Sequence, residues 1–408
     1  MLLRKNYLIN SLLLFIIFNS AVFSQSEIHI SVNSSLDNSY WWTQNGNKGI
    51  DLSKKNIYSN LSFKKDKIYF KLSSHLINNN IDVHEIFLKY KLNDTSFIRA
   101  GKYYRDYSTY LNDDLSSGHL LVSHNALPMS KIGFVKSKNF KKVTFEGGIS
   151  HGYFDKNTDY IKRPLLHEKF IYLHFNKASY KYSFGFLHEA IWSGTTVQKG
   201  AQPNSFSDFL RVFISADRKL EDYDIVPDTH LNALGNHLGV WEFIVQKIEA
   251  DKTTKFYYQH FFEDTSGLRF NNGLDGLWGF ELNNQNIKLN LLVEYLRTMK
   301  STMDSYYNHG TYVRGWSYKN QAIGNPFINF KTLNPGEFIH FASKLNIKDN
   351  YDFSFKLARN INKEDDIRYR ISFSRENVNK SLPNISFISY GDKFHKSPGY
   401  AFQLSWFL

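Results

Sequence analysis

The sequence predicts an all-β fold, a transmembrane antiparallel β-barrel of outer-membrane type, with about 16 to 18 strands and 18 favoured at ~10 residues per strand. Three observations carry this. Apolar residues alternate with period two from one end of the chain to the other, with turn-forming residues between the segments. After Phe23 no stretch approaches the ~18 to 20 consecutive apolar residues that a membrane-spanning helix requires. The chain finishes on an aromatic stripe, Tyr400, Phe402, Leu404, Trp406 and Leu408, with Gln403 and Ser405 on the opposite face.

The first segment reads as a leader. Arg4 and Lys5 give a basic start, Leu8 to Phe18 an apolar core, and Val22 and Ser24 a small-residue cleavage pattern. Residues 1–24 are therefore expected to be a cleaved signal peptide and 25–408 one barrel domain. Strand stripes then follow in order: Ile68, Phe70 and Leu72; Val143, Phe145, Gly147 and Ile149; Tyr180, Tyr182, Phe184 and Phe186, with Ser183, Gly185 and Leu187 on the other face. Further stripes are Leu289, Leu291, Val293 and Tyr295; Tyr351, Phe353, Phe355 and Leu357; Tyr369, Ile371 and Phe373. Turns fall at Asn78 to Asn80, Asn271 to Gly273, Asn283 to Asn286 and Lys348 to Asn350. The eight prolines sit in loops or at strand edges, where a ladder can do without a backbone donor.

An all-β chain of this length fits a soluble sandwich pair, a propeller or a membrane barrel, and the terminal stripe decides among them. A soluble domain seldom ends on such a stripe, whereas the last strand of a lipid-facing barrel needs it. Hydrocarbon offers no partner for backbone N–H and C=O groups, so a spanning sheet must close on itself. The inward face can then be polar, which reconciles a membrane protein with a mean hydropathy of -0.42. The terminal strand also resembles the signal read by the barrel insertion machinery, an expected partner during biogenesis.

Composition excludes much else. Of 408 residues, 17% are aromatic and 22% charged, and there is no Cys. That removes a disordered chain, collagen, a disulfide scaffold, a thiolate nucleophile and a zinc ribbon. The net charge is +12, but export makes nucleic acid an unfit partner and leaves an acidic extracellular polymer. The 15 His include no His-Glu-x-x-His pair, and no Gly-rich phosphate loop opens a helix. No metal or cofactor is expected. Ser123-His124 and His260 with Asp264 have no local signature of an activated nucleophile, so lumenal hydrogen bonding is the favoured reading for these histidines.

Four stretches are dense in Gly, Asn, His, Trp and acids: Leu115 to Phe134, Leu187 to Val212, Asn236 to Leu282, and Tyr306 to Phe327. Within them stand Gly235-Asn236-His237-Leu238-Gly239, Tyr258-Gln259-His260, Glu263-Asp264, Gly267-Leu268 and Asp275-Gly276-Leu277-Trp278-Gly279. Gly315-Trp316-Ser317-Tyr318 and Ile323-Gly324-x-Pro326 come next, with Leu166-His167-Glu168-Lys169 upstream. In this order and approximate spacing they resemble the Wzi-type capsule assembly family of outer-membrane barrel lectins, over most of the chain from about Gly101 onward. Two departures stand out. Asn320 occupies a place where family members often have Gly, and Asn also tolerates a left-handed backbone. Ile28 to Lys65 shows no helical period, although the best-known members close the periplasmic mouth with helices.

The resemblance implies attachment or organisation of surface polysaccharide, capsule or exopolysaccharide, at the outer membrane, with no enzymatic chemistry. Carbohydrate presents apolar C–H faces and a rim of hydroxyls, so aromatic platforms and polar clamps would hold it. Trp192, Trp241, Trp278, Trp316 and Tyr318 are the candidate platforms. Arg211, Arg269 and Arg314, with His260 and Asp264, are the candidate polar contacts. Expected partners are that polysaccharide and outer-membrane lipid, and the chain is expected to be a monomer. An outer-membrane porin for small solutes and an outer-membrane hydrolase using His124, His237 or His260 stay open at this point.

Overall fold

The strands follow one another as an antiparallel meander in the computed structural model. In chain order they are β1 Gln25–Asn33, β2 Asn56–Lys65, β3 Ile68–Ile77, β4 Asn80–Asn93, β5 Ser96–Lys102 and β6 Ser130–Phe140. Next come β7 Val143–Tyr153, β8 Leu165–Lys177, β9 Tyr180–Trp192, β10 Asn236–Ile248, β11 Lys252–Phe262 and β12 Gly276–Asn284. The set ends with β13 Leu289–Arg297, β14 Glu337–Lys348, β15 Tyr351–Asn360, β16 Ile367–Arg375, β17 Asn384–Asp392 and β18 Gly399–Phe407. The structure describes residues 25–77, 80–104, 113–156, 158–216, 233–263, 270, 272–299, 306–332, 335–348, 350–379 and 381–407. Residues 1–24, where the sequence suggests a leader, and Leu408 lie outside them.

Closure is explicit in the register. β18 pairs antiparallel with β1, Ile30 opposite Trp406 and Val32 opposite Leu404, so the 18-stranded sheet has no free edge. The side chains alternate as the period-two reading requires. Along β9, Tyr180 and Tyr182 are exposed on the outer wall, while Ser183, Leu187 and Glu189 are buried inside. Ile171, Phe175, Phe243, Val245, Phe256, Phe280 and Val293 continue the exposed apolar belt. This is the lipid-facing surface of an outer-membrane barrel. The inner wall is tied by polar pairs instead: Lys71 to Glu85 at 2.5 Å, Lys131 to Glu168 at 2.8 Å, and the Tyr172 hydroxyl donating to Glu242 at 2.5 Å.

The two rims differ. One carries tight turns, such as Asp66-Lys67 between β2 and β3, where Asp66 takes φ 48°. The other carries long connections at 34–55, 103–129, 193–235 and 298–336. Short turns face the periplasm and long loops the exterior in barrels of this kind. One strand breaks its own alternation. Ser73 pairs with Glu85 but Ser74 with Val83, a bulge that turns both His84 and Glu85 into the buried interior.

Two of the long loops fold into the barrel. Leu120, Leu121, Tyr307 and Trp316 are fully enclosed there. They are fixed by backbone acceptors: Trp316 Nε1 donates to the Leu121 carbonyl at 2.7 Å and the Tyr307 hydroxyl to the Leu120 carbonyl. The loop at 34–55 contributes a single helical turn, α1 Trp41–Gln44, against the same mass.

A second helix, α2 Phe206–Phe213, begins with a capping box between Ser205 and Asp208. It lies outside the barrel, across the extracellular ends of β8 and β9, with Phe209 and Val212 packed around Trp192. Its free edge is apolar: Phe206 is 76% exposed, Leu210 49%, and Ile214 just beyond it 71%. An apolar edge of this kind, continuous with a lipid-facing belt, suits a helix lying in the plane of a membrane interface.

Candidate functional site

The inward loop is held by wall residues that accept or donate where a loop backbone would otherwise be stranded. Glu294 on β13 takes the Ser117 N–H at 2.8 Å and the Tyr257 hydroxyl at 2.6 Å. Gln259 on β11 takes the Leu120 N–H at 3.0 Å and passes its own amide hydrogen to Glu242 at 2.9 Å. His340 on β14 donates to the Leu115 carbonyl at 2.7 Å. Space for the Tyr257 ring comes from Gly279 on the facing strand, where a Cβ would sit 1.9 Å from the ring. The result is a floor of protein across the barrel, built from polar residues of three strands.

Above this floor, at the rim with long loops, lies an open vestibule of about 760 Å³. Three elements build it. The α1 turn supplies Trp41, anchored by its N–H to the Asp392 carboxylate at 2.8 Å. The hairpin Ser317-Tyr318 with Gln321-Ala322 turns through Lys319 and Asn320, at φ 48° and 67°, a two-residue connection of the kind that twisted hairpins prefer. Asn320 thus sustains the left-handed backbone that its residue type permits. The following segment supplies Phe327, stacked on Trp41 at 4.7 Å with the planes 2° apart. Phe338 stacks on Phe327 from the other side at 4.9 Å.

Arg368 of β16 caps this stack, its guanidinium 4.6 Å from the Trp41 ring centroid and paired twice with Asp366 at 2.8 Å. Around the mouth stand Lys54, Lys319, Lys331 and Lys363, against Asp51 and Asp366. Lys331 and Lys363 form no ion pair among the described residues. Such a surface suits a ligand with ring faces, hydroxyls and negative charge.

The hairpin is braced against the loop between β7 and β8. The Tyr318 hydroxyl donates to Asp155 at 2.8 Å, and Lys319 lies 3.2 Å from the same carboxylate. Burial raises the Tyr318 pKa well above the ordinary phenol value, and its hydrogen bond to Asp155 adds to this, so the group stays a donor. Burial alone would raise the Asp155 pKa; the bonds from Tyr318 and Lys319 and the Lys319 charge outweigh it and hold the carboxyl below its usual range.

The residues singled out from sequence fall elsewhere than the vestibule. Trp241 is on the outer wall beside Phe184 and Phe186, at 5.3 and 4.7 Å. Trp278 is there too, stacked on Tyr258 at 3.8 Å. His260, also outward, is buried against Phe270 with its Nδ1 2.7 Å from the Tyr258 hydroxyl. Trp192 lies under α2, and Arg211, on that helix, is 3.9 Å from Asp208. Trp316 is inside the floor, not on its surface. Arg314 pairs with Asp159, and Tyr318 braces the hairpin. Asp264 and Arg269 lie outside the described residues. The period-two register explains the tryptophans on β10 and β12: Glu242, next to Trp241, and Glu281, three residues beyond Trp278, take the inward positions.

Among the described residues Ser123 makes no hydrogen bond to a His or Asp side chain. Ser123 Oγ donates to the Gly324 carbonyl at 2.6 Å and accepts the Asn125 N–H at 3.1 Å, which is a turn-stabilising role. Among the described residues no group of three His, Asp or Glu could hold a metal ion.

Solved structures similar to this chain share little sequence with it. OccK5 (OpdH) of Pseudomonas aeruginosa is similar at 10% identity and a TM-score of 0.46, covering 95% of this chain and 98% of that one. A mutant of Rh. blastica porin gives 7% and 0.40, with 94% and 99% covered. OmpT of Vibrio cholerae gives 9% and 0.35, with 94% and 96% covered. At these scores the barrel is read from its own hydrogen-bond register and not from the likeness. No curated protein is matched by the sequence. The model of the family described as capsule assembly protein Wzi matches residues 34–353. With the quoted motifs lying in that span and the matched region forming most of a closed outer-membrane barrel, the chain belongs to the Wzi capsule assembly family.

Proposed function

We propose that this barrel binds an acidic surface polysaccharide in its extracellular vestibule and so anchors capsule or exopolysaccharide to the outer membrane, without catalysing a reaction on it. The observation that carries the reading is the Trp41, Phe327 and Phe338 stack capped by Arg368 and ringed by lysines, standing above a protein-filled floor. The half-buried Trp41 indole, held in place by the buried Phe327 and Phe338, offers the sugar an apolar contact, and cations take uronate or other acidic groups. Family membership supports the same role. In this reading residues 1–24 direct export and are removed, the terminal strand is read by the insertion machinery, and the barrel works as a monomer.

The test is a gene deletion complemented with wild type, Trp41→Ala or the pair Lys331→Glu and Lys363→Glu. Cell-associated and released polysaccharide are weighed in each strain. Retention by wild type and release with either variant, at equal barrel levels, is the expected result. Equal retention in all three strains rejects the vestibule as the anchoring site. The floor favours this reading over a porin: two loops and three wall strands occupy the cross-section that a solute would use.

A further inference from the structure

A second cavity, of about 540 Å³, lies inside the barrel on the periplasmic side of the inward loop. One wall of it is the inner face of β15 and β16. There Lys356 stands directly opposite Arg370 in the antiparallel register, and both line the cavity. Like charges placed directly across a sheet repel. The Lys356 side chain is nonetheless buried, with the residue 8% exposed and the Trp42 ring 5.4 Å from its ammonium. The Arg370 Nε is buried without a hydrogen-bond partner.

No carboxylate of the cavity is in ion-pair contact with these two cations among the described residues. Asp352 is engaged by Lys344 at 3.0 Å. Asp113 and Asp114 of the inward loop also line the space, but no ion pair joins either to Lys356 or Arg370 among the described residues. A buried ammonium beside a half-buried guanidinium whose enclosed Nε has no acceptor is costly unless an anion sits between them. Beside them Ser354 faces Ser372, with Ser374 and Gln403 further along the wall, so hydroxyl and amide groups surround the charged centre. The volume lies within the ~300 to 1,000 Å³ of small-ligand pockets.

We propose that this cavity binds a single acidic sugar unit, its carboxylate clamped between Lys356 and Arg370 and its hydroxyls met by the serines and Gln403. The sugar identity rests on the glycan reading of the vestibule; the oxyanion clamp rests on the paired cations alone.

Purified barrel in detergent is titrated calorimetrically with glucuronate, glucose and inorganic phosphate, for wild type, Lys356→Met, Arg370→Met and Trp41→Ala. Saturable glucuronate binding, absent for glucose and weakened ~10-fold or more by either cation variant, is expected, a tenfold change being ~1.4 kcal/mol. Trp41→Ala should keep it, which separates this site from the vestibule. A second measurement guards against misfolding: removing either cation relieves the repulsion, so the ligand-free variants should unfold on heated gels at or above the wild-type temperature. Absence of glucuronate binding, binding unchanged in both cation variants, or binding of phosphate without glucuronate overturns the proposal.

Discussion

Glu294 is the point at which the floor should give way. Its carboxylate is 1% exposed and receives the Ser117 N–H at 2.8 Å and the Tyr257 hydroxyl at 2.6 Å, with the Ser116 hydroxyl at 3.3 Å. Glu294→Ala takes this acceptor from both buried donors, at ~1 to 3 kcal/mol each, or about 2 to 6 kcal/mol together. The remaining wall contacts, from Gln259 and His340, contribute only ~0.5 to 1.5 kcal/mol apiece. Even the lower bound moves the local open-to-closed equilibrium of the inward loop by roughly 30-fold. Single-channel recording in planar bilayers reads this directly. Wild type should be electrically quiet, and the variant should show frequent openings, with Glu294→Gln between them because its amide offers one acceptor and brings a competing donor. If Glu294→Ala folds, by its heat-modified gel mobility, yet stays as quiet as wild type, then Glu294 is not what holds the floor.

Three further outcomes follow from the same coordinates. Lys131→Met removes the ammonium 2.8 Å from the buried Glu168 carboxylate, which also accepts from Ser150, and should destabilise the barrel by ~1.5 to 3 kcal/mol; Lys131→Met with Glu168→Met should recover most of it on heated gels. Because the Asp155 pKa is depressed in the fold, its tie to Tyr318 and Lys319 is fully present above the ordinary carboxylate value and is lost as pH falls through the folded one. Protease cleavage between residues 306 and 332 should therefore rise on acidification below about pH 4, and Asp155→Asn should flatten that dependence. The chain has no Cys, so Leu210→Cys gives a single label on α2; it should be quenched by brominated lipid and shielded from iodide in vesicles, and the reverse pattern would remove the helix from the membrane interface.

Much of the barrel could be read from residue order because a two-sided strand writes its environment locally. The Tyr180 and Tyr182 stripe, the Ser183 and Leu187 face and the closing Tyr400 to Trp406 segment each state which side meets lipid. The same rule, applied to Trp241 beside Glu242 and to Trp278 three residues before Glu281, assigns those tryptophans to the outer wall, since a charged residue of opposite parity claims the inward position. The bulge at His84 had no such signature, because one extra residue is invisible without its partner strand. The vestibule was harder still. Trp41, Phe327 and Arg368 come from segments far apart in the chain, and only closure and the inward course of a long loop bring them together. The adjacent pair Trp41-Trp42, in a polar stretch next to Gly46 and Gly49, was the one local hint. Trp316 and Tyr318 lie in the right loop, but their neighbours are set by tertiary folding of that loop.

The seam between the first and last strands has a consequence for how this protein comes into being. Its first strand waits for a mate made seventeen strands later, so no chain lacking β18 owns a sealed wall, and every earlier stage offers a naked ladder to any passing strand. Cells must therefore escort all eighteen strands unfolded, and loss of even a few β18 residues should harm assembly far more than the lost contact area suggests.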